Sequence, residues 1–157
     1  MTTNAKMIGG IIFAAFIILV GGVFLLSKDE KTVPAEGEVV SRNGLHWHPK
    51  LTVYIKGERQ DFTDNIGLGA IHQPIHTHSE NYKDGVVHME MQGVVTKDQT
   101  KLGNFFQIWG KQFNSNCLLD KCNGQEGTVK MVVNNHENKD FDSYLMKDGD
   151  NIEIRYE

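Results

Sequence analysis

The chain lacks a basic excess. It carries 16 Lys+Arg against 20 Asp+Glu, a net charge of -4 with histidine neutral. Nucleic acid would call for a clustered basic surface, so it is not expected as a partner. Cysteine is scarce: only Cys117 and Cys122 occur, too few thiols for a structural zinc site without histidine neighbours. Three prolines stand against 16 glycines, a balance that suits strands and turns. No Gly-x-Ser-x-Gly elbow is present, which removes that class of serine nucleophile. The loop 64–70 (DNIGLGA) lacks the spacing and the following lysine of a phosphate loop, and no His-Glu-x-x-His helix occurs. No catalytic residue is assigned.

Charge is also missing from residues 7–26 (MIGGIIFAAFIILVGGVFLL). At ~1.5 Å per residue this run spans a hydrocarbon core of ~30 Å. A cleaved signal peptide is the rival reading, but its apolar part is usually only ~7–15 residues. An uncleaved anchor is preferred. Lys6 precedes the run, and Lys28 and Lys31 follow it, so the charge bias that orients membrane segments is weak. A short leader and a long folded tail fit a cell-membrane protein whose C-terminal domain lies outside the cytoplasm. The expected order is a short segment 1–6, a transmembrane anchor 7–26, a linker 27–38 and an extracytoplasmic domain 39–157. Export favours a disulfide between Cys117 and Cys122 over a ligand role for either.

Period-two alternation begins at Leu45: Leu45, Trp47, Leu51, Val53 and Ile55 on one parity, His46, His48, Thr52 and Tyr54 on the other. That is strand, with Pro49 marking an edge or a break. Lys56-Gly57-Glu58 turns the chain, and 59–62 returns. Residues 75–78 are short and extended, and 86–92 is a further strand. A helix is expected over 100–110, with Leu102, Phe106 and Trp109 on one stripe and Gly110 as its stop. Residues 128–133 and a return to Phe141 form another hairpin, and 151–156 is the last strand. The fold class is α+β, mostly antiparallel β with one main helix, preceded by one transmembrane helix.

The ending Tyr144-Leu145-Met146-Lys147-Asp148-Gly149-Asp150-Asn151-Ile152-Glu153-Ile154 resembles the closing turn and strand of β-grasp proteins such as the small sulfur carriers. The likeness implies a β-grasp-like C-terminal part. It does not imply sulfur transfer, because this chain ends Arg155-Tyr156-Glu157 rather than Gly-Gly. The wider pattern is similar to a group of uncharacterised membrane-anchored proteins of bacteria and archaea. These share a His-x-His strand (His46 to His48), a His-Thr-His loop (His76 to His78), a Val-His-x-Glu strand (Val87 to Glu90) and a Leu-Gly-x-Phe-Phe-x-x-Trp-Gly helix (Leu102 to Gly110). The resemblance implies a shared architecture and brings no activity with it.

Histidine is the residue in surplus. Five of the seven, His46, His48, His76, His78 and His88, fall in three short segments. Residues i and i+2 of a strand share a face, so His-x-His aims two imidazoles at one place. Imidazole suits zinc, copper, iron and nickel. Glu90 shares the face of His88 and can ligate or orient a ring. The expected metal set is therefore His46, His48, His76, His78, His88 and Glu90, for copper or zinc. His72 is a weaker candidate, and His136 is expected to be exposed in a hairpin turn. Met89 and Met91 are soft enough for copper(I), but they share the parity of Val87 and are assigned to the core.

Three functions fit this pattern. The first is an anchored module that holds a metal for supply, storage or sensing. The second is a metal-dependent enzyme with an open coordination position; here His76-Thr77-His78-Ser79-Glu80 is too compact for the cupin motif. The third is a metal-free cell-surface interaction domain whose histidines form a hydrogen-bonded, pH-sensitive cluster. Binding is preferred over catalysis.

Overall fold

The computed structural model describes residues 34–157. The expected anchor 7–26 lies outside the described residues. Among those described, no helix is long and apolar enough to cross a membrane. In chain order the strands are β1 (Val39–Ser41), β2 (Leu45–Trp47), β3 (Lys50–Ile55), β4 (Glu58–Gln60), β5 (Ile75–His76), β6 (His88–Met91) and β7 (Val95–Thr96). The helix α1 (Leu102–Trp109) follows, then β8 (Cys117–Leu118), β9 (Lys121–Cys122), β10 (Val129–Val133), β11 (His136–Glu137) and β12 (Asn151–Tyr156). The class is α+β, with mostly antiparallel strands and one α-helix among the described residues.

Alternation builds the largest sheet. Leu51 and Val53 of β3, Ile152, Ile154 and Tyr156 of β12, and Val129, Met131 and Val133 of β10 are all buried, with Thr52, Glu153, Arg155, Lys130 and the half-buried Val132 between them. The sheet order is β11-β10-β12-β3-β4. Its central pair is parallel, with Ile152 opposite Leu51 and Ile154 opposite Val53, while the flanking pairs are antiparallel. Leu102, Phe105 and Phe106 of α1 belong to the same core. Phe62 closes it at the helix, 5.5 Å from the Phe105 ring and 5.1 Å from Trp109. Gly110 ends the helix with φ 71°, the left-handed conformation that glycine adopts without steric cost.

A second sheet, β2-β6-β5, carries the histidine segments. Pro49 falls between β2 and β3, which belong to different sheets. Small two-stranded pairs, β1 with β7 and β8 with β9, complete the described part. Cys117 and Cys122 sit opposite one another on β8 and β9 and are joined by a disulfide.

Several boundaries differ from the alternation pattern. The strand expected over 86–92 is shorter, His88–Met91, with Val86 held by a single bridge to Lys50. The return towards Phe141 is strand only over His136–Glu137, and Phe141–Ser143 is a 3-10 turn. Asn138 caps that departure by accepting a hydrogen bond from the Asp140 amide at 2.8 Å. A side chain that bonds its own backbone this way competes with the strand ladder.

Candidate metal centre

Strand pairing brings the three histidine segments together. β2 runs antiparallel to β6, placing His46 opposite Glu90. β5 pairs with the other edge of β6, placing His76 opposite His88. Directly opposed residues share a face with Cβ atoms about 4.5–5.5 Å apart. His88 and Glu90 are two residues apart on β6, so they share that face too. His48 and His78 lie just beyond β2 and β5 and extend it. The opposite parity, Trp47, Met89 and Ile75, is also in register and packs into the core.

Glu90 sits among the rings. Its Oε1 is 3.2 Å from His46 Nε2, 4.0 Å from His76 Nε2 and 4.0 Å from His88 Nδ1. The Nε2 atoms of His76 and His78 are 3.0 Å apart. Two nitrogens on one ion at about 2.0–2.1 Å stand about 3.0–3.4 Å apart, so this pair is already near ligand spacing. Ring centroids run from His46 to His48 at 4.6 Å, His48 to His88 at 4.8 Å and His88 to His78 at 4.3 Å. They continue from His78 to His76 at 4.8 Å and from His76 to His72 at 4.5 Å. Three groups have donor atoms mutually within 4.8 Å: His46, His48 and His88; His78, His88 and Glu90; His72, His76 and Glu90. Each can hold a metal ion.

Two rings are fixed from behind. His76 Nδ1 lies 2.9 Å from the Gln73 carbonyl oxygen. A carbonyl only accepts, so Nδ1 carries the proton and Nε2 offers its lone pair to the cluster. The Asn81 amide lies against His88 Nε2, at 3.2 Å from its oxygen and 3.0 Å from its nitrogen. In the tautomer whose Nε2–H donates to the Asn81 oxygen, His88 Nδ1 presents a bare lone pair. That atom is buried and has no hydrogen-bond partner among the described residues. Both rings resist protonation. Burial lowers the His76 pKa, opposed by the Gln73 bond and aided by His72. Burial, then the neighbouring His78, His48 and His76, pushes His88 down to about 4. Neutral imidazole is the ligating form.

His76 is 0% exposed, deeper than a ring on a polar sheet face would be. The glycine-bearing loop 64–70 covers it. Thr77 pins that loop: its Oγ1 accepts the Ile66 amide at 3.0 Å, and its own amide donates to the Ile66 carbonyl at 3.0 Å. Gly67 (φ 78°) makes the approach possible, because a Cβ there would stand 2.8 Å from the Ile75 oxygen and 3.1 Å from His76 Cβ. Gly67→Ala is expected to cost about 2 kcal/mol, since a left-handed L residue alone costs about 1–2. Urea denaturation of the variant against wild type checks it, and accelerated exchange at the Thr77 amide locates the effect.

The structure brings together all six expected residues, His46, His48, His76, His78, His88 and Glu90, and adds His72 as a full member. His72 is placed by the loop that returns on itself between Gly67 and Gln73: Leu68 and His72 form an antiparallel bridge, and the Gln73 amide donates to the Gly67 carbonyl at 2.8 Å. It lies beside the loop glycines and outside any strand, which is why it reads weakly in sequence. Asn81 and Asp148 carry no histidine-like signal at all. Asp148 accepts the His48 amide at 2.8 Å and stands 3.9 Å from its Nδ1. His136 is exposed and outside the cluster. Met89 and Met91 are buried in the core, 0% and 7% exposed. No protein-family model, curated protein or solved structure matches the chain.

Proposed function

We propose that this chain is a membrane-anchored, extracytoplasmic module that binds a transition metal, copper or zinc, through its clustered histidines. The observation that carries the reading is His88 Nδ1, a buried ring nitrogen without a hydrogen-bond partner among the described residues, in the midst of other donors. An unsatisfied buried polar atom costs about 1–3 kcal/mol, and coordination to a cation removes that cost. The donors are imidazole nitrogens and one carboxylate, a set suited to zinc(II) and copper(II). The softer donors that favour copper(I) are elsewhere: Met89 and Met91 face the core, and the cysteines are disulfide-bonded. The apolar run 7–26 and the disulfide support an anchored, exported protein. The sheet order β11-β10-β12-β3-β4, with its parallel central pair and a helix between the two hairpins, supports a β-grasp-like architecture. Likeness to the anchored bacterial and archaeal group is part of the same reading.

Holding a metal for supply, storage or sensing needs no nucleophile. One observation favours the enzyme as a second reading. A cleft of about 410 Å³ opens beside the cluster, with His46, His72 and Glu90 on its wall. A coordination position facing that cleft would admit a small molecule.

The test uses full-length protein in detergent, stripped with chelator and equilibrated with zinc(II) or copper(II). Elemental analysis is expected to find stoichiometric metal. The His76→Ala/His78→Ala double variant is expected to bind more than about 100-fold more weakly, exceeding the 10–100-fold effect of losing an outer-shell partner. Wild-type protein that retains no metal supports the metal-free interaction domain and sinks the proposal.

A further inference from the structure

We infer that the histidine cluster takes two divalent cations at once, bridged by the Glu90 carboxylate. The inference rests on the metal-binding reading above and goes beyond it in stoichiometry and in the role of Glu90.

Donor count is the first argument. His46, His48, His72, His76, His78, His88 and Glu90 offer more ligands than one four-coordinate ion accepts. Their arrangement is the second. The groups His46–His48–His88 and His72–His76–Glu90 share no residue, yet each is tight enough to hold an ion. One ion in either would leave the other group's donors unused. Each group also has its own buried, positioned ring. His88 is held by the Asn81 amide, and His76 by the Gln73 carbonyl. Those two rings lie nearly parallel, 13° apart in plane, with centroids separated by 5.7 Å. Such outer partners are what fix a metal-ligating imidazole, and here there are two sets.

Glu90 and His78 occupy the space between the groups. Glu90 Oε1 is within 4.0 Å of nitrogens from both sides, His76 Nε2 and His88 Nδ1. A carboxylate has two oxygens and can give one to each ion. His78 touches both sides as well, through His76 Nε2 at 3.0 Å and the His88 ring at 4.3 Å. The cleft is lined by His46 from one group and by His72 and Glu90 from the other, so both groups reach solvent through it.

The experiment is a copper(II) titration of full-length protein in detergent. Elemental analysis and integrated electron paramagnetic resonance are read together. Two copper ions per chain are expected at saturation, with an integrated signal well below two spins because the shared carboxylate couples them. His72→Ala, at an exposed position, is expected to hold one ion with a full one-spin signal. His46→Ala/His48→Ala is expected to do the same with the other ion. Saturation at one ion per chain in wild type overturns the inference and leaves the metal-binding reading intact. No stoichiometric metal overturns both. Two ions with independent spins, or two ions retained in His72→Ala, overturn the bridged pair.

Discussion

Replacing Phe105 by alanine is expected to destabilise the domain by about 3–5 kcal/mol, the range for removing a large aromatic from a packed core. Phe105 is 0% exposed. Its ring meets Phe62 edge-on at 5.5 Å, Phe106 at 5.9 Å and Trp109 at 6.0 Å. These contacts tie α1 to the residues after β4 and to its own next turn. Truncation therefore removes both transfer free energy and the aromatic geometry, and leaves a void that three rigid rings cannot refill. Domains have only about 5–15 kcal/mol in hand, so the loss is a large share of the total. Urea denaturation of full-length protein in detergent, without metal, measures it as a lower midpoint at unchanged slope. The helix also packs on β5, which carries His76. Saturating zinc should recover part of the stability, because an ion that binds only the folded state adds free energy by mass action. A variant within 1 kcal/mol of wild type would mean that α1 is not the wall of this core.

Side-chain parity made much of the site legible. His46 and His48, His88 and Glu90, and the opposing Trp47, Met89 and Met91 sort onto two faces by counting in twos. That much needs no tertiary information. Which strands pair is a non-local matter, decided by how β2 and β5 flank β6, and no local pattern encodes it. The depth of His76 was hidden for a related reason. It depends on a loop whose glycine tolerates positive φ and whose path is pinned by Thr77, a residue that reads only as the spacer between two histidines. His72 carries little signal because a loop, not a strand, delivers it. The helix stripe is readable for Leu102 and Phe106, since periodicity near 3.6 is local; Trp109, expected on the same stripe, is only half-buried, and Phe105 beside it is fully buried. The hairpin expected from 128 to Phe141 is shorter than its alternation suggests. Its second strand stops after Glu137, where Asn138 turns its side chain onto the backbone.

Acid should destabilise the metal-free protein by about 3 kcal/mol between pH 6.5 and pH 4, through His88 alone. The folded-state pKa is about 4 against 6.5 for the free side chain. Between these values the unfolded chain binds a proton that the folded chain refuses, so stability falls as pH falls. Each unit of pH in that window costs about 1.4 kcal/mol per fully shifted group. Above pH 6.5 both states are neutral at this position and the contribution is complete; below pH 4 both are charged and the loss levels off. The cause is local: His88 is mostly buried, and His78, His48 and His76 surround it, with only Glu90 favouring its charge. His76, also lowered, adds loss in the same direction. Urea midpoints of chelator-treated protein at several pH values should show the slope, and His88→Gln should reduce it, because glutamine does not titrate, leaving the His76 share. A wild-type curve parallel to that of His88→Gln would refute the buried, neutral imidazole. Bound metal holds the rings deprotonated, so the loaded protein should resist acid until protons displace the ion. Release of metal and loss of stability should then coincide in one transition, because the lone pair that shuns the proton in the apo cluster is the one offered to the cation.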